Sequence, residues 1–264
     1  MIIITHYNEC LDWLINSGLS GIIYSKGIVK PKIKNFKVIE SDNFGGNQYD
    51  IIRFIYENYE CLPDTMTFIQ ADPFDHCSKE IFWKKIKRKN FTPLESYSDL
   101  MQNPSCRKSK EIDCGYTEAN NDWYIEAHNN NLWLNNHKIT CPVKKFDNFM
   151  SAIFTDYQPL EWIRFTPGSQ YTVEKWRCLN YSKQFWKNIL NFIPKTNVNG
   201  GTEAHVLERA LWLIFAGIYT ERKNKKLDFK SGKSPMQYYL DSAKKNKIIY
   251  KIISMIKLKV FNKR

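Results

Sequence analysis

Apolar residues in the first part of the chain fall in short runs, separated by polar clusters and by stretches with helical spacing. Ile2–Thr5 is a continuous apolar run, the pattern of a strand covered on both faces. Asn8 is placed to cap a helix from Glu9 to Ser17, with Leu11, Leu14 and Ile15 inward and Gly18 as its stop. Gly21–Ser25 reads as a second strand, and Phe36–Glu40, after a Lys/Pro linker, as a third. After a turn at Asp42–Asn47, the positions Tyr49, Ile51, Ile52, Ile55 and Tyr59 recur with helical period up to Pro63, and Thr65–Gln70 is the next strand. Strands that alternate with helices need crossovers, so the sheet is expected to be mostly parallel.

Between Glu80 and Asp156 the pattern does not resolve into elements. Trp162–Val173 then reads as a strand broken by a Pro167-Gly168 kink and resumed. A helix follows from Ser182 through Phe185, Trp186, Ile189 and Leu190 to Pro194, and Thr202 can cap an apolar helix from Glu203 to Phe215 after the Asn199-Gly200-Gly201 turn. The expected architecture is one α/β domain over residues 1–221, with helices on both faces of the sheet and a basic helical extension over 222–264.

Polar clusters follow each strand: Thr5–Asn8, Ser25-Lys26, Ser41–Asn47 and Gln70–His76. In a parallel sheet all four project at the carboxyl edge, where open α/β folds bind ligands. The last cluster is the densest, delivering Gln70, Asp72, Asp75 and His76 within seven residues. Taken alone it reads equally well as an acidic turn capped by Pro73. Gly45 and Gly46 suit positive φ before a helix whose N-terminus can receive a phosphate, although a plain tight turn explains them too. Neither a P-loop nor a dinucleotide fingerprint is present.

The net charge of +12 sits in the tail: residues 222–264 hold 14 Lys and Arg against Asp228 and Asp241, while residues 1–221 hold 25 of each sign. A neutral body argues against a cleft that grips a nucleic-acid backbone and suits a domain tethered to an anionic surface. Within residues 244–264, Ile248, Ile249, Ile252, Ile253, Ile256 and Val260 fall within roughly 140° of helical arc, and Lys247, Lys251 and Lys257 outside it. Such a helix suits an anionic membrane, or packs on the domain with its lysines in water. Seven scattered cysteines with no Cys-x-x-Cys pair, and an N-terminus without a signal-type core, predict free thiols in a cytoplasmic protein peripheral to membrane. The Asn-rich segment around Trp123-Tyr124 and Asn129–Asn136 offers amides and aromatic planes to a sugar, or reflects an AT-rich genome such as that of a large DNA virus. Lys84–Lys89 reads as a solvated helical face, the commoner role of such a run, or as a phosphate contact.

Several segments together carry a resemblance: His6–Glu9 with Trp13-Leu14, Ile23–Gly27, Glu57–Tyr59 with Leu62–Asp64, Phe68–Gln70 with Pro73–His76, Phe165 with Pro167–Tyr171 and Val173, and Leu207–Arg209 with Trp212, Ile214 and Phe215. They resemble the domain-of-unknown-function family 3431 of fungi, bacteria and large DNA viruses, whose members look like glycosyltransferases of the GT-A type. The chain departs from that pattern at Gly46-Asn47-Gln48, where the family has Gly-Arg-Glu.

The resemblance implies a single Rossmann-like domain that transfers a hexose or pentose from a nucleotide-sugar, such as a UDP-sugar, to a glycan or lipid-linked acceptor. The metal-binding Asp-x-Asp of that fold is replaced by Gln70-Ala71-Asp72, so Mn²⁺ or Mg²⁺ would rest on Asp72 with Asp75, His76 or His205. Thr5, Tyr7, Asn8, Ser25, Lys26, Asp42 and Asn43 are expected at the nucleotide, Gln70 and Asp72 at ribose or phosphate, and Gly168, Ser169 and Gln170 beside sugar or acceptor. Base duty is assigned first to Glu203, then to Glu208 and His205, although the helix dipole favours Glu203 at its N-terminus whatever its function and Glu208 with Arg209 reads equally well as an internal ion pair. The reading requires Asn8, His76 and Gly168 to line one cavity. Its competitors are a nucleic-acid-binding protein that uses the tail and a sugar-binding module without turnover.

Overall fold

The computed structural model describes residues 1–95, 109–111, 117–119, 124–126, 146–160, 162–193 and 201–223. In chain order the elements are β1 (Ile2–His6), β2 (Gly21–Ser25), β3 (Phe36–Glu40), α1 (Gly46–Glu57), β4 (Thr65–Gln70), α2 (Lys79–Lys85), β5 (Thr92–Pro93), β6 (Ser109–Glu111), β7 (Thr117–Ala119), β8 (Tyr124–Glu126), α3 (Phe146–Ile153), β9 (Trp162–Arg164), β10 (Tyr171–Glu174), α4 (Lys175–Leu179), α5 (Lys183–Phe192) and α6 (Gly201–Ala216). The central sheet has six strands in the order β3-β2-β1-β4-β10-β5. β1, β2, β3 and β4 are mutually parallel, and β10 runs antiparallel to both of its neighbours. Strands β6, β7, β8 and β9 form a separate antiparallel sheet.

The chain steps outward from β1 to β3 and then returns to the other side of β1 to lay down β4. That reversal makes the gap between β1 and β4 a topological switch point, the place where open sheets of this kind leave a crevice.

Both sheet faces are covered, which explains why the strands read as unbroken apolar runs. Ile3, Tyr24, Met66, Phe68, Tyr171 and Val173 face a large core built with α1, α3, α5 and α6. Ile2, Ile4, Ile23 and Ile69 face a smaller one closed by Leu11 and Leu14 and by Phe82 of α2. Phe68 lies at the centre of the larger core, its ring stacked on Phe215 at 6.2 Å and edge-on to Phe54 at 6.0 Å.

Three expectations are corrected. Residues 9–17 form only a turn of 3-10 helix at Asp12–Leu14, entered from Leu11 with no side-chain cap. Glu9 turns back to accept the N–H groups of Tyr7 and Asn8 at 2.7 and 3.1 Å, and Asn16 is left-handed at φ 63°, so both ends of the expected helix leave helical geometry. Ile15, placed inward by periodicity, is exposed. The broken strand at 162–173 is two strands in two different sheets, because Gly168 (φ 68°) and Ser169 (φ 49°) reverse the chain between them. Lys84–Lys89 is not a uniform solvated face, since α2 ends at Lys85, which is buried and donates to the Pro93 carbonyl at 3.3 Å.

Elsewhere the local rules hold. Ser182 Oγ caps α5 by accepting the Phe185 N–H at 3.1 Å. Gly45 and Gly46 take positive φ, 67° and 56°, where α1 begins. Cys10, Cys61, Cys77 and Cys178 are free thiols. Arg222, the first residue of the basic extension, is tied to α3 through the carbonyls of Ser151 and Phe154 at 3.2 and 2.9 Å. The amphipathic segment at 244–264 and the Trp123 and Asn129–Asn136 segments lie outside the described residues. Among the described residues, no helix is long and apolar enough to cross a membrane.

Phe68→Ala would open a cavity between sheet and helices and should cost ~3–5 kcal/mol. Urea unfolding checks this, and a loss below about 1 kcal/mol would show that the two layers do not depend on that contact.

Candidate functional site

The carboxyl rim is organised around a carboxylate that no ligand can reach. Asp50, one turn into α1, is fully buried; its Oδ1 accepts the Ser41 hydroxyl at 2.5 Å, and its Oδ2 lies 3.3 Å from the Lys26 ammonium. The Thr5 hydroxyl binds the same carboxylate. Lys26 Nζ also donates to the carbonyls of Phe44 and Gly46, both at 2.8 Å. With its side chain only 3% exposed among these partners, Lys26 presents no face to a phosphate. Burial pushes the Asp50 carboxyl up and the Lys26 ammonium down, while their mutual attraction and the hydroxyls pull both back toward the charged state. Thr5 and Lys26, expected at the nucleotide, therefore serve the ends of β1 and β2 and the start of α1.

A second convergence forms over β4. Gly168 lies in the turn Pro167–Ser169, and a Cβ added to it would come within 2.7 Å of Gln70 Oε1 and 3.1 Å of His76 Cδ2. Positive φ and this close approach leave room for glycine alone. The turn is held from below by α1: Asn47 Nδ2 donates to the Gly168 carbonyl, and Gln48 Nε2 to Ser169 Oγ at 2.9 Å. It is held from the side by α6, where Glu208 Oε1 accepts the Gly168 N–H at 2.9 Å. Ser169 and Gln170 are fully buried; Gln170 Nε2 donates to the Pro73 carbonyl at 3.2 Å.

Glu208 is itself tightly held. Arg209 donates to its Oε2 at 3.0 Å, and His205 Nδ1 lies 3.8 Å from the same oxygen. Burial would raise this carboxyl, but the His205 and Arg209 interactions and the Gly168 N–H outweigh it and hold Glu208 below the ordinary glutamate value. The His205 side chain is 49% exposed, whereas Glu203, on the first turn of the same helix, is 2% exposed.

On the other side of β1 a cleft of about 560 Å³ opens between the loops that follow β1 and β2, lined by His6, Asn8, Glu9, Asp12, Pro31 and Lys32 among others. His6 Nδ1 pairs with Ser25 Oγ at 3.3 Å in its wall. A Cβ on Gly27 would sit 1.5 Å from the Tyr7 carbonyl, so the two loops are in backbone contact. Asn8 lines this cleft; His76 and Gly168 do not. The single cavity expected from the sequence is thus two half-sites, because Asn8 leans toward β2 while Gly168 leans on β4, with β1 between them. The halves are joined where Thr5 pairs with Gln70 in the sheet.

The metal candidates do not assemble. Asp72 spends Oδ1 on the Phe74 N–H at 3.3 Å, Gln70 Nε2 donates to the Asp72 carbonyl at 2.7 Å, and Asp75 is exposed beside them. Among the described residues no three His, Cys, Asp or Glu side chains are placed to share an ion. Asp42 and Asn43 lie in the loop that leads into α1.

Sequence reasoning did not single out Asp50, Asn47, Gln48 or the buried Arg164–Glu95 ion pair, which sits beyond the end of β5 with Arg164 lying 5.9 Å from the Trp212 ring. The signal for Asp50 was a charge on the core-facing stripe of a helix, between Tyr49 and Ile51. Asn47 and Gln48 were visible only as a departure from a pattern.

The chain belongs to the family described as protein of unknown function (DUF3431), whose model matches residues 1–228. No curated protein and no solved structure matches it.

Lys26→Met should cost ~3–5 kcal/mol because it strands Asp50, and the added change Asp50→Leu should recover most of that loss. Chemical denaturation of both variants decides it; a double variant no more stable than the single one contradicts the assignment. Glu208, depressed in the folded state, contributes stability that is complete above the ordinary glutamate pKa and is lost as pH falls through the folded value. Glu208→Gln should therefore lose stability at neutral pH and show a shallower decline than wild type in acid, measured by urea midpoints across pH; parallel curves would refute it.

Proposed function

We propose that the chain is a glycosyltransferase of the GT-A type that moves a hexose or pentose from a nucleotide-sugar to a glycan or lipid-linked acceptor, its donor bridging two half-sites because the one cavity required of Asn8, His76 and Gly168 is not formed. The observation that carries this reading is the meeting of Gln70, His76, Gly168 and the His205–Glu208 pair beside the β1–β4 switch point, with a nucleoside-sized cleft on the opposite side of the same gap. The donor spans the two halves. Its nucleoside lies in the cleft against His6 and Asn8, its diphosphate crosses the gap near Tyr7 and Gln70, and its sugar stands by Gly168 and His76.

Transfer builds positive charge on the sugar and negative charge on the departing diphosphate, and an inverting reaction needs a base for the acceptor hydroxyl. Glu208, held below its ordinary pKa and committed to Gly168 and Arg209, is a weak base and a good positioning group. His205 stands half exposed with that carboxylate at its Nδ1 side, and takes the acceptor proton; Glu203 is buried on the same helix. The rim cations Lys26, Arg164 and Arg209 each face a carboxylate within the protein, and the Tyr7 and Asn8 N–H groups are taken by Glu9, so the diphosphate is met by Lys32 in the cleft wall. A divalent ion would have Asp72 as its one protein carboxylate, with diphosphate oxygens completing its shell and neutralising the leaving group; no step here requires it.

A thermal-shift screen of nucleoside diphosphates and their sugars on the full chain, with and without Mn²⁺, tests the reading. A cognate ligand at 100 times its Kd should stabilise by ~2.7 kcal/mol. His205→Asn should then lower kcat for transfer or hydrolysis by ~10²–10⁴ with nucleotide affinity unchanged. Absence of stabilisation by every nucleotide tried would reject the proposal.

A further inference from the structure

The loop between β2 and β3 has no part in the reaction described above except as one wall of the cleft, yet it carries the most exposed apolar side chains of the described residues. Ile28 is 94% and Val29 73% exposed, side by side at its tip, and Tyr7, whose carbonyl contacts Gly27, is 46% exposed. A single exposed aliphatic residue is ordinary; an adjacent pair at a loop tip beside an exposed ring is a patch. Its surroundings are basic. No acidic residue occurs from Trp13 to Ile39, while that stretch holds Lys26, Lys30, Lys32, Lys34 and Lys37 in a body whose charges balance overall. Lys30, Lys32 and Lys34 are all exposed, and Pro31 and Ile33 between them are half-buried against the cleft. The acids facing this group are Glu40, 3.1 Å from Lys30 in a pair open to water and therefore weak, and Glu9 and Asp12, which line the cleft with Val29 and Lys32.

We infer that this tip docks on an anionic lipid bilayer, with Ile28 and Val29 entering the interface and Lys30, Lys32 and Lys34 lying among the headgroups. Apolar side chains backed by a collar of lysines match a surface that is charged outside and apolar beneath. A protein partner would have to supply both features in the same order. The cleft shares this loop, so docking turns the cleft mouth toward the membrane. That the bound membrane carries the acceptor rests on the transfer reading; the docking does not.

The test is co-sedimentation of the full chain, without nucleotide, with vesicles of phosphatidylcholine alone or with phosphatidylserine added. Binding to the anionic vesicles only is expected, weakened about fivefold for each lysine removed. Two variants, Ile28→Asp with Val29→Asp and Lys30→Glu with Lys34→Glu, should each lower partitioning at least about tenfold while thermal stability stays as in wild type. Wild-type partitioning in both variants overturns the inference, since the remaining basic segments would then account for all binding. So does failure of the full chain to bind anionic vesicles. A dimer in sedimentation velocity that the Ile28→Asp, Val29→Asp variant converts to monomer overturns it as well, by giving the tip to a second copy of the chain.

Discussion

One buried carboxylate sets the geometry of the rim. Removing Asp50 from water is costly unless its charge is met inside the protein, and the groups that meet it come from the ends of three neighbouring strands: Thr5 from β1, Lys26 after β2 and Ser41 after β3. Lys26 spends its remaining donors on the Phe44 and Gly46 carbonyls, which fixes the start of α1. From there Asn47 and Gln48 reach the Gly168 turn, and that turn leans on Gln70 at the end of β4. The two sides of the switch point are thus referenced to each other through Asp50, Lys26, Asn47 and Gln48, which lie behind the proposed donor contacts.

This arrangement explains what could be seen in the sequence. Strands Ile2–His6, Gly21–Ser25 and Thr65–Gln70 were legible because burial on both faces favours apolar runs, Phe36–Glu40, at the sheet edge with no buried residue, showed as a shorter mixed run, and their parallel order followed from the crossovers. The stretch from Glu9 to Ser17 has the apolar spacing of a helix, but a carboxylate that finds backbone donors two residues upstream competes with that periodicity. The place of Gly168 was legible as a kink with a close neighbour; which neighbour was not.

The roles of the polar residues were harder to read for a common reason. A lysine or hydroxyl at a strand end looks the same in sequence whether its partner is a phosphate or a carboxylate on the next helix. Lys26 and Asp50 are separated by a turn, a strand and a loop, and Glu95 and Arg164 lie 69 residues apart. Spacing cannot disclose such pairs, and partner identity decides whether a charge belongs to the fold or to the ligand. Glu208 shows the same effect: its position suited a base or an ion pair with Arg209, and the structure forms the ion pair and makes the carboxylate an anchor for Gly168 and His205.

What remains for ligands is a rim in two parts: a cleft beside β1 and β2 and a polar turn over β4, joined where Thr5 lies beside Gln70. The proposed chemistry depends on one molecule bridging them. Amide hydrogen exchange of the full chain, with and without the nucleotide-sugar that gives the largest thermal shift, tests that directly. The account predicts slowed exchange both at Tyr7–Glu9 with Gly27 and at Asp72–His76 with Gly168. Protection confined to one of these halves, or lying elsewhere on the molecule, would contradict it.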